Sequence, residues 1–578
     1  MRLLRILPVT LLLIVVAIPA SPLPAREGKA GALDSAWCGT HRWGFEVSLA
    51  RHLDQLRRLE RQGIRRRGVA AGIGPRVSQA GDIAVIEDDG TLVSAENPFD
   101  LAGEAVQFSR RRNGVRAQNS SATVSGSLGK KLALGDDDSV WIDFPNRFSF
   151  KFFGQKYSGV FINSDGNLTF GEADFEPLPR SLARFLNGPP RIAPLFADLN
   201  PAAATDDGGI YLKATRTRVR ITWSEVPEFG SSNANTFQIT LLRNGRITFA
   251  YGDLAAEEGV VGVAPGGGGA LLLLDYTADL ATGPEERAIA EGFSTREQVD
   301  DLAVASVFFD RFVDDYDHLI VWLDFPAFLG GAFAFEVNVK NDVRGIGLPV
   351  FDHSPFFGSQ GRLESHVQMG ALSRYPEDPD ETFLSTNSTM DILGQETGHR
   401  WLAYVRFRDA NGKMSTDLLG RGLTHWNFNH DTDASDMEGN DIRDNGDSTF
   451  TTVEATSRYS RLDRYMMGLI RPNAVADFFY AQDSPILVDG GPQVGVTFPG
   501  ARVDVRVEDV IAAEGMRQPT SKEAPKSFRM AFILVGRRGE PPSQASIDQV
   551  DRYRRRWAGY FRAATGNKGS AKTRLLLK

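Results

Sequence analysis

"NTFQITLLRNGRITFAYG", residues 235–252, decides the architecture of the middle of the chain. Phe237, Ile239 and Leu241 alternate, Asn244-Gly245 supplies a two-residue turn, and Ile247, Phe249 and Tyr251 alternate back. A period of two places one set of side chains on one face, and Asn-Gly accepts the positive φ that tight hairpins need. The stretch therefore predicts a β-hairpin with one buried face. "VFINSDGNLTF" (160–170) repeats the device around Asp165-Gly166, and Val219, Ile221 and Trp223 of "RVRITW" keep the same period. Residues 131–265 are predicted to form a β-sandwich-like domain from such strands.

The flanks read differently. "MRLLRILPVTLLLIVVAIPASPLPA" has Arg2 and Arg5 before an apolar run, and small residues follow, so residues 1–25 read as a secretory signal peptide. The run is shorter than the roughly 20 residues that span a bilayer. Residues 26–80 form a basic, helix-prone lead-in, with Leu49, Leu53 and Leu56 on one helical face. Residues 81–130 form a short β segment. Residues 266–300 are predicted to be a flexible, then helical connector, because "VAPGGGGA" (263–270) breaks the strand pattern. Residues 301–565 form a mixed α+β domain, and residues 566–578 a solvated basic tail.

At 578 residues the chain is long enough for several domains. Its net charge of −8 argues against nucleic acid as a general partner. Only one cysteine, Cys38, is present, so no disulfide forms within a chain and stability rests on burial or bound metal. Cys38 itself reads as a bystander. Phosphate-binding loops with Lys-Ser/Thr, Gly-x-Ser-x-Gly elbows and cysteine nucleophiles are not found.

"FKFFGQKYSGVFINSDGNLTFG", "RIAPLFADLNP", "VRITWSEVPEFG" and the hairpin, in this order and spacing, resemble the extracellular domain of nidogen-type proteins. The resemblance implies a non-catalytic β module for extracellular attachment, with an extracellular protein, cell-surface or matrix component as partner.

Five of the eight histidines fall between residues 353 and 430: His353, His366, His399, His425 and His430. Among them lies "STMDILGQETGHRWLAYVRF" (388–407). Ser388 and Asp391 fit a capping box, so a helix starts there, and residues 395 and 399 then share a face with Glu396 alongside. Zinc hydrolases use this geometry, with two ligands four apart and a glutamate that handles the proton of the attacking water. Gln395-Glu396-Thr397-Gly398-His399 resembles the His-Glu-x-x-His of zincin metallopeptidases. The resemblance implies Glu396 as general base, His399 as ligand, and zinc as cofactor. Gln395 replaces the first histidine, and a neutral carboxamide is a poor zinc donor.

For the third ligand Asp463 of "SRLDRYMMG" ranks first, since it loosely resembles the downstream Asp and Tyr of aspartate-type zincins; His425 and then Glu438 compete. The metzincin extension would land on Val405, which excludes that subclass. The acidic stretch 430–447 has the alternation of a calcium loop at Asp431, Asp433 and Ser435, and Asp431, Asp433 and Asp436 are its candidate calcium ligands, but Asp436 and Ile442 stand where an EF-hand needs Gly and Glu. An irregular calcium loop and a merely solvated acidic loop remain open. Residues 305–565 also resemble uncharacterised exported bacterial proteins, a resemblance that brings no activity. The expectation is an exported, zincin-like metal-dependent peptidase with an attachment module. The alternative is a non-catalytic extracellular binding or adhesion protein with a degenerate zincin-like domain.

Overall fold

The computed structural model pairs Phe237 with Tyr251, Ile239 with Phe249 and Leu241 with Ile247, all six buried. It describes residues 38–40, 44–61 and 75–578, apart from residues 95, 113, 146–147, 176–179, 269–270, 279–281, 283–284, 330–331 and 487–489. The expected signal peptide lies outside the described residues. Two units divide the rest: residues 95–296, and residues 38–94 together with 297–578.

The hairpin sits in a seven-stranded sheet ordered Val115–Asn119, Ala105–Arg110, Ile247–Tyr251, Asn235–Leu242, Arg218–Val226, Gly209–Ala214 and Lys130–Leu132. A second seven-stranded sheet runs Leu271–Leu273, Ala288–Ser294, Glu258–Ala264, Arg191–Phe196, Asn167–Thr169, Gly159–Asn163 and Ser139–Asp143. Side chains of both sheets, among them Phe108, Ile162, Ile192, Trp223 and Phe249, form one core. Polar side chains tie the layers: Trp223 Nε1 donates to the Ser164 carbonyl (3.2 Å) and the Tyr251 hydroxyl to that of Pro194 (2.8 Å). This is a β-sandwich of inward-facing apolar sets.

The sandwich is larger than residues 131–265. Strands Ala105–Arg110 and Val115–Asn119 join it from the expected β segment, and Ala288–Ser294 joins it from the expected helical connector. The connector misleads for a physical reason. Ala288 and Ala290 pack with Ala193, Ala264 and Phe196 beneath the short helix Leu182–Asn187, so both faces of the strand are covered and polar alternation is lost.

In the second unit the central sheet runs Arg76–Ala80, Ile83–Glu87, Ser527–Gly536, His318–Leu323, Ser365–Ala371 and Phe335–Asn338, with Ser570–Lys572 beside Ser527–Gly536. Ile83–Glu87, His318–Leu323 and Ser365–Ala371 are joined through parallel pairings, whereas Phe335–Asn338 runs antiparallel at the edge. The expected segment 81–130 is thus split between the units. The lead-in helix is Gly44–Arg61; Leu49 and Leu59 are its buried leucines, while Leu56 is exposed. The basic tail is built into the fold. Ser570–Lys572 is a strand, and the Leu576 amide donates to the Tyr316 hydroxyl at 2.7 Å. Helix Thr389–Gly398 packs against the long C-terminal helix Gln544–Ala564 and the edge of the sheet. Among the described residues no helix is long and apolar enough to cross a membrane.

Candidate functional site

Helix Thr389–Gly398 starts at the predicted capping box: the Ser388 hydroxyl accepts from the Asp391 amide (3.3 Å) and the Asp391 carboxylate from the Ser388 amide (2.7 Å). It is buried almost all round, and its last turn carries Gln395 and Glu396, with His399 as the capping residue beyond. These side chains meet the loop 421–438 and, from the far N-terminal side of the sequence, residues 38–40.

The two imidazoles are oriented alike. His399 Nδ1 lies 3.1 Å from the Leu402 carbonyl and His425 Nδ1 2.8 Å from the Arg421 carbonyl. A carbonyl only accepts, so both Nδ1 atoms carry the proton; the Nε2 lone pair of His399 faces Cys38, and that of His425 accepts from Arg421 Nη2 at 3.3 Å. Metal-binding histidines are fixed in this way. Cys38 Sγ lies 3.3 Å from His399 Nε2, and the ligand atoms of Cys38, His399 and His425 all fall within 4.8 Å of one another. Two corners of a tetrahedron around zinc, with bonds of ~2.0–2.3 Å, stand roughly 3.4 Å apart. Burial first, and then the His425 ring for His399 and the Arg421 guanidinium for His425, holds both imidazoles well below the usual histidine range, so they are neutral as ligation requires. Two imidazole nitrogens and a sulfur are a zinc donor set, and the residues fit that ion.

Glu396 is fully buried beside them. Its Oε2 accepts from the Thr40 hydroxyl at 2.9 Å and from the Cys38 thiol at 3.4 Å, while its Oε1 has no partner. Burial lifts this carboxyl to about 8, against the hydrogen bonds from Cys38 and Thr40. Burial and then the Glu396 charge push the Cys38 thiol well up. Gln395 turns its amide nitrogen to Glu438 Oε1 (3.4 Å) and leaves its buried carboxamide oxygen unpartnered. Glu438 is ion-paired with Arg421, and its Oε1 lies 3.6 Å from His425 Nε2. Sequence position 395 therefore faces the same cluster as His399.

Other candidates go elsewhere. Asp463 accepts from Trp426 Nε1 (3.0 Å), the Ser435 hydroxyl (2.6 Å) and the Ser460 amide (2.7 Å); it caps helix Arg461–Met466 and is not in the ligand group. Its spacing to Ser460 is that of a capping box. Asp431 accepts from the Ile442 amide (3.0 Å), Asp436 accepts from the Tyr560 hydroxyl (2.9 Å), and Asp433 holds a positive φ of 53° in the loop. Asp431 and Asp436 are engaged separately, and the three form no ligand group among the described residues. His353 stacks on Phe45, His366 faces Asp301 at 3.1 Å, and His430 packs against Trp426. The bystander reading of Cys38 is corrected. It stands 358 residues before Glu396, and nothing in local spacing links them; its being the lone thiol of the chain was the available signal.

No curated protein and no solved structure matches the chain. Residues 116–297 match the model of a family described as NIDO related, so the sandwich unit is a nidogen-related domain.

Proposed function

We propose that the protein is an exported, zincin-like metal-dependent hydrolase acting on peptides, with the nidogen-related domain as its attachment module. The observation that carries this reading is the approach of ligand atoms of Cys38, His399 and His425 to within 4.8 Å of one another, beside the buried, half-unpartnered carboxyl of Glu396. His399, His425 and Cys38 would hold zinc, with Gln395 and Glu438 as the neighbouring oxygen donors. Bound zinc supplies Lewis acidity that polarises a carbonyl and favours hydroxide at neutral pH. Glu396 does the proton work. Its free Oε1 would take the proton of the attacking water and return it to the leaving amine, with the cation beside it keeping the carboxyl ionised.

Elemental analysis of the full chain, purified without chelator, tests this beside His399→Ala and Glu396→Gln. About one zinc per chain is expected in the parent and in Glu396→Gln and none in His399→Ala; peptide hydrolysis, measured in Cys38→Ser, is lost when either substitution is added. A parent chain that is folded and zinc-free rejects the metal centre. A second reading, a non-catalytic extracellular binding protein, is favoured by Gln395 in place of a strong ligand and by the nidogen-related unit. Zinc without hydrolysis of any peptide, in the parent and in Cys38→Ser, would select it.

A further inference from the structure

We infer that residues 38–40 are an intramolecular plug that holds the His399–His425–Glu396 site closed; this rests on the metal-centre reading above. The three-residue segment silences two functions at once. Cys38 puts a sulfur donor 3.3 Å from His399 Nε2, in a corner that an incoming oxygen ligand would otherwise take. Two residues on, the Thr40 hydroxyl donates to Glu396 Oε2 at 2.9 Å and occupies the base. A structural cysteine would need only the first contact.

The segment is held beside the sheet by a single isolated bridge. Cys38 bridges Ala334 in parallel, and the Gly39 amide donates to the Ala334 carbonyl at 2.8 Å, just before the edge strand Phe335–Asn338. Arg421 Nη1 donates to the Cys38 carbonyl (2.7 Å), the Thr424 hydroxyl to the Thr40 carbonyl (3.1 Å), and the Glu336 amide to the Thr40 hydroxyl (2.6 Å). Gly39 lies so close that an added Cβ would stand 2.5 Å from the Ala332 Cβ. The contacts with Ala334 and Glu336 belong to the edge of the sheet, and those from Arg421 and Thr424 to the loop 421–438, so none is a ladder bond between the sheet's own strands. Independently of the cysteine, the site has groups that await a ligand: Glu396 Oε1 and Gln395 Oε1 are buried without a partner, a costly state that an occupant would relieve.

Cobalt substitution tests the plug on the full chain, on Cys38→Ser and on Gly39→Val, which expels the segment without touching the thiol. The parent is expected to show a thiolate-to-cobalt charge-transfer band and a spectrum insensitive to azide, with slow alkylation of Cys38 by iodoacetamide. Both variants should bind cobalt without that band and respond to azide, and Cys38 of Gly39→Val should alkylate at least ~10-fold faster. Cobalt bound in the parent without the thiolate band, or an azide response equal to that of the variants, overturns the plug and leaves the metal centre standing. A folded parent that binds no cobalt overturns both. Should Gly39→Val fail to fold, Cys38→Ser and the parent's alkylation rate with and without metal carry the decision.

Discussion

The phenol of Tyr560, on the C-terminal helix, lies 2.9 Å from Asp436 Oδ1 in the acidic loop, and the same oxygen lies 2.8 Å from Asp391 Oδ1. One hydroxyl proton thus stands between two acids, one of them fully buried. Burial, and then the Asp391 charge, pushes the Asp436 carboxyl well up. Asp391 is also the capping residue of the helix that carries Gln395 and Glu396. The acidic loop is therefore attached to the back of the site helix through Tyr560.

Removing that hydroxyl has a definite sign. Tyr560→Phe leaves Asp436 without its donor and should destabilise the second unit by about 1–3 kcal/mol, the usual cost of a buried group left unpartnered. Differential scanning calorimetry of the full chain reads the change as a lower melting temperature for that unit. The helix cap loosens too, so zinc affinity should fall along with stability. An unchanged melting temperature would show that Asp436 is satisfied without the phenol.

Gly166 closes the second hairpin of the sandwich with φ of +67°, and an added Cβ would stand 1.9 Å from the Leu195 carbonyl oxygen. A main-chain atom of a central strand cannot move aside cheaply. Gly166→Ala should cost more than ~2 kcal/mol, beyond the ~1 kcal/mol of positive-φ strain alone. The nidogen-related unit should melt several degrees lower while the second unit keeps its own transition. Equal melting would mean that the turn at Asp165-Gly166 can be rebuilt at no cost.

Glu291 makes the sandwich pH-sensitive. Burial lifts its carboxyl from 4.5 to about 8, against the Tyr276 amide that donates to its Oε2 at 2.7 Å. The folded state therefore holds a proton that the unfolded chain releases near pH 4.5. Stability from this group is complete below pH 4.5, declines as pH rises, and is lost above about 8. At about 1.4 kcal/mol per pH unit the loss amounts to a few kcal/mol. Glu291→Gln keeps an acceptor for the Tyr276 amide and cannot ionise, so its unfolding free energy should vary less between pH 5 and 8.5. Parallel pH profiles for parent and variant would refute the assignment.

What was legible in the sequence follows one-sided burial and local spacing. Phe237, Ile239 and Leu241 could be read because each strand of the hairpin has one covered face, and Ser388 and Asp391 because a capping box is a three-residue relation. Ala288–Ser294 could not, since covering both faces with small residues removes the alternation that marks a strand. His399 and Glu396 were found through helical spacing, whereas Cys38 and Thr40 reach them across more than 350 residues, by edge pairing that no local pattern encodes. Asp463 illustrates the converse. Its spacing looked like a ligand motif, but a carboxylate at the third helical position is equally what a cap requires.

Gln395 is the residue on which the strength of the proposed metal centre turns. It sits one helical turn before His399, and its amide nitrogen meets Glu438 in the same cluster, so an imidazole at this position would stand beside the other donors. Gln395→His should add a nitrogen ligand and tighten zinc at least ~10-fold, about 1.4 kcal/mol. A competition titration against a chelator of known affinity measures this directly. The variant also gives up the weak hydrogen bond to Glu438, which in turn keeps its ion pair with Arg421, so the cost to folding should be small. Zinc affinity equal to that of the parent would show that residue 395 does not reach the ion, and the ligand set would then be confined to His399, His425 and the sulfur of Cys38.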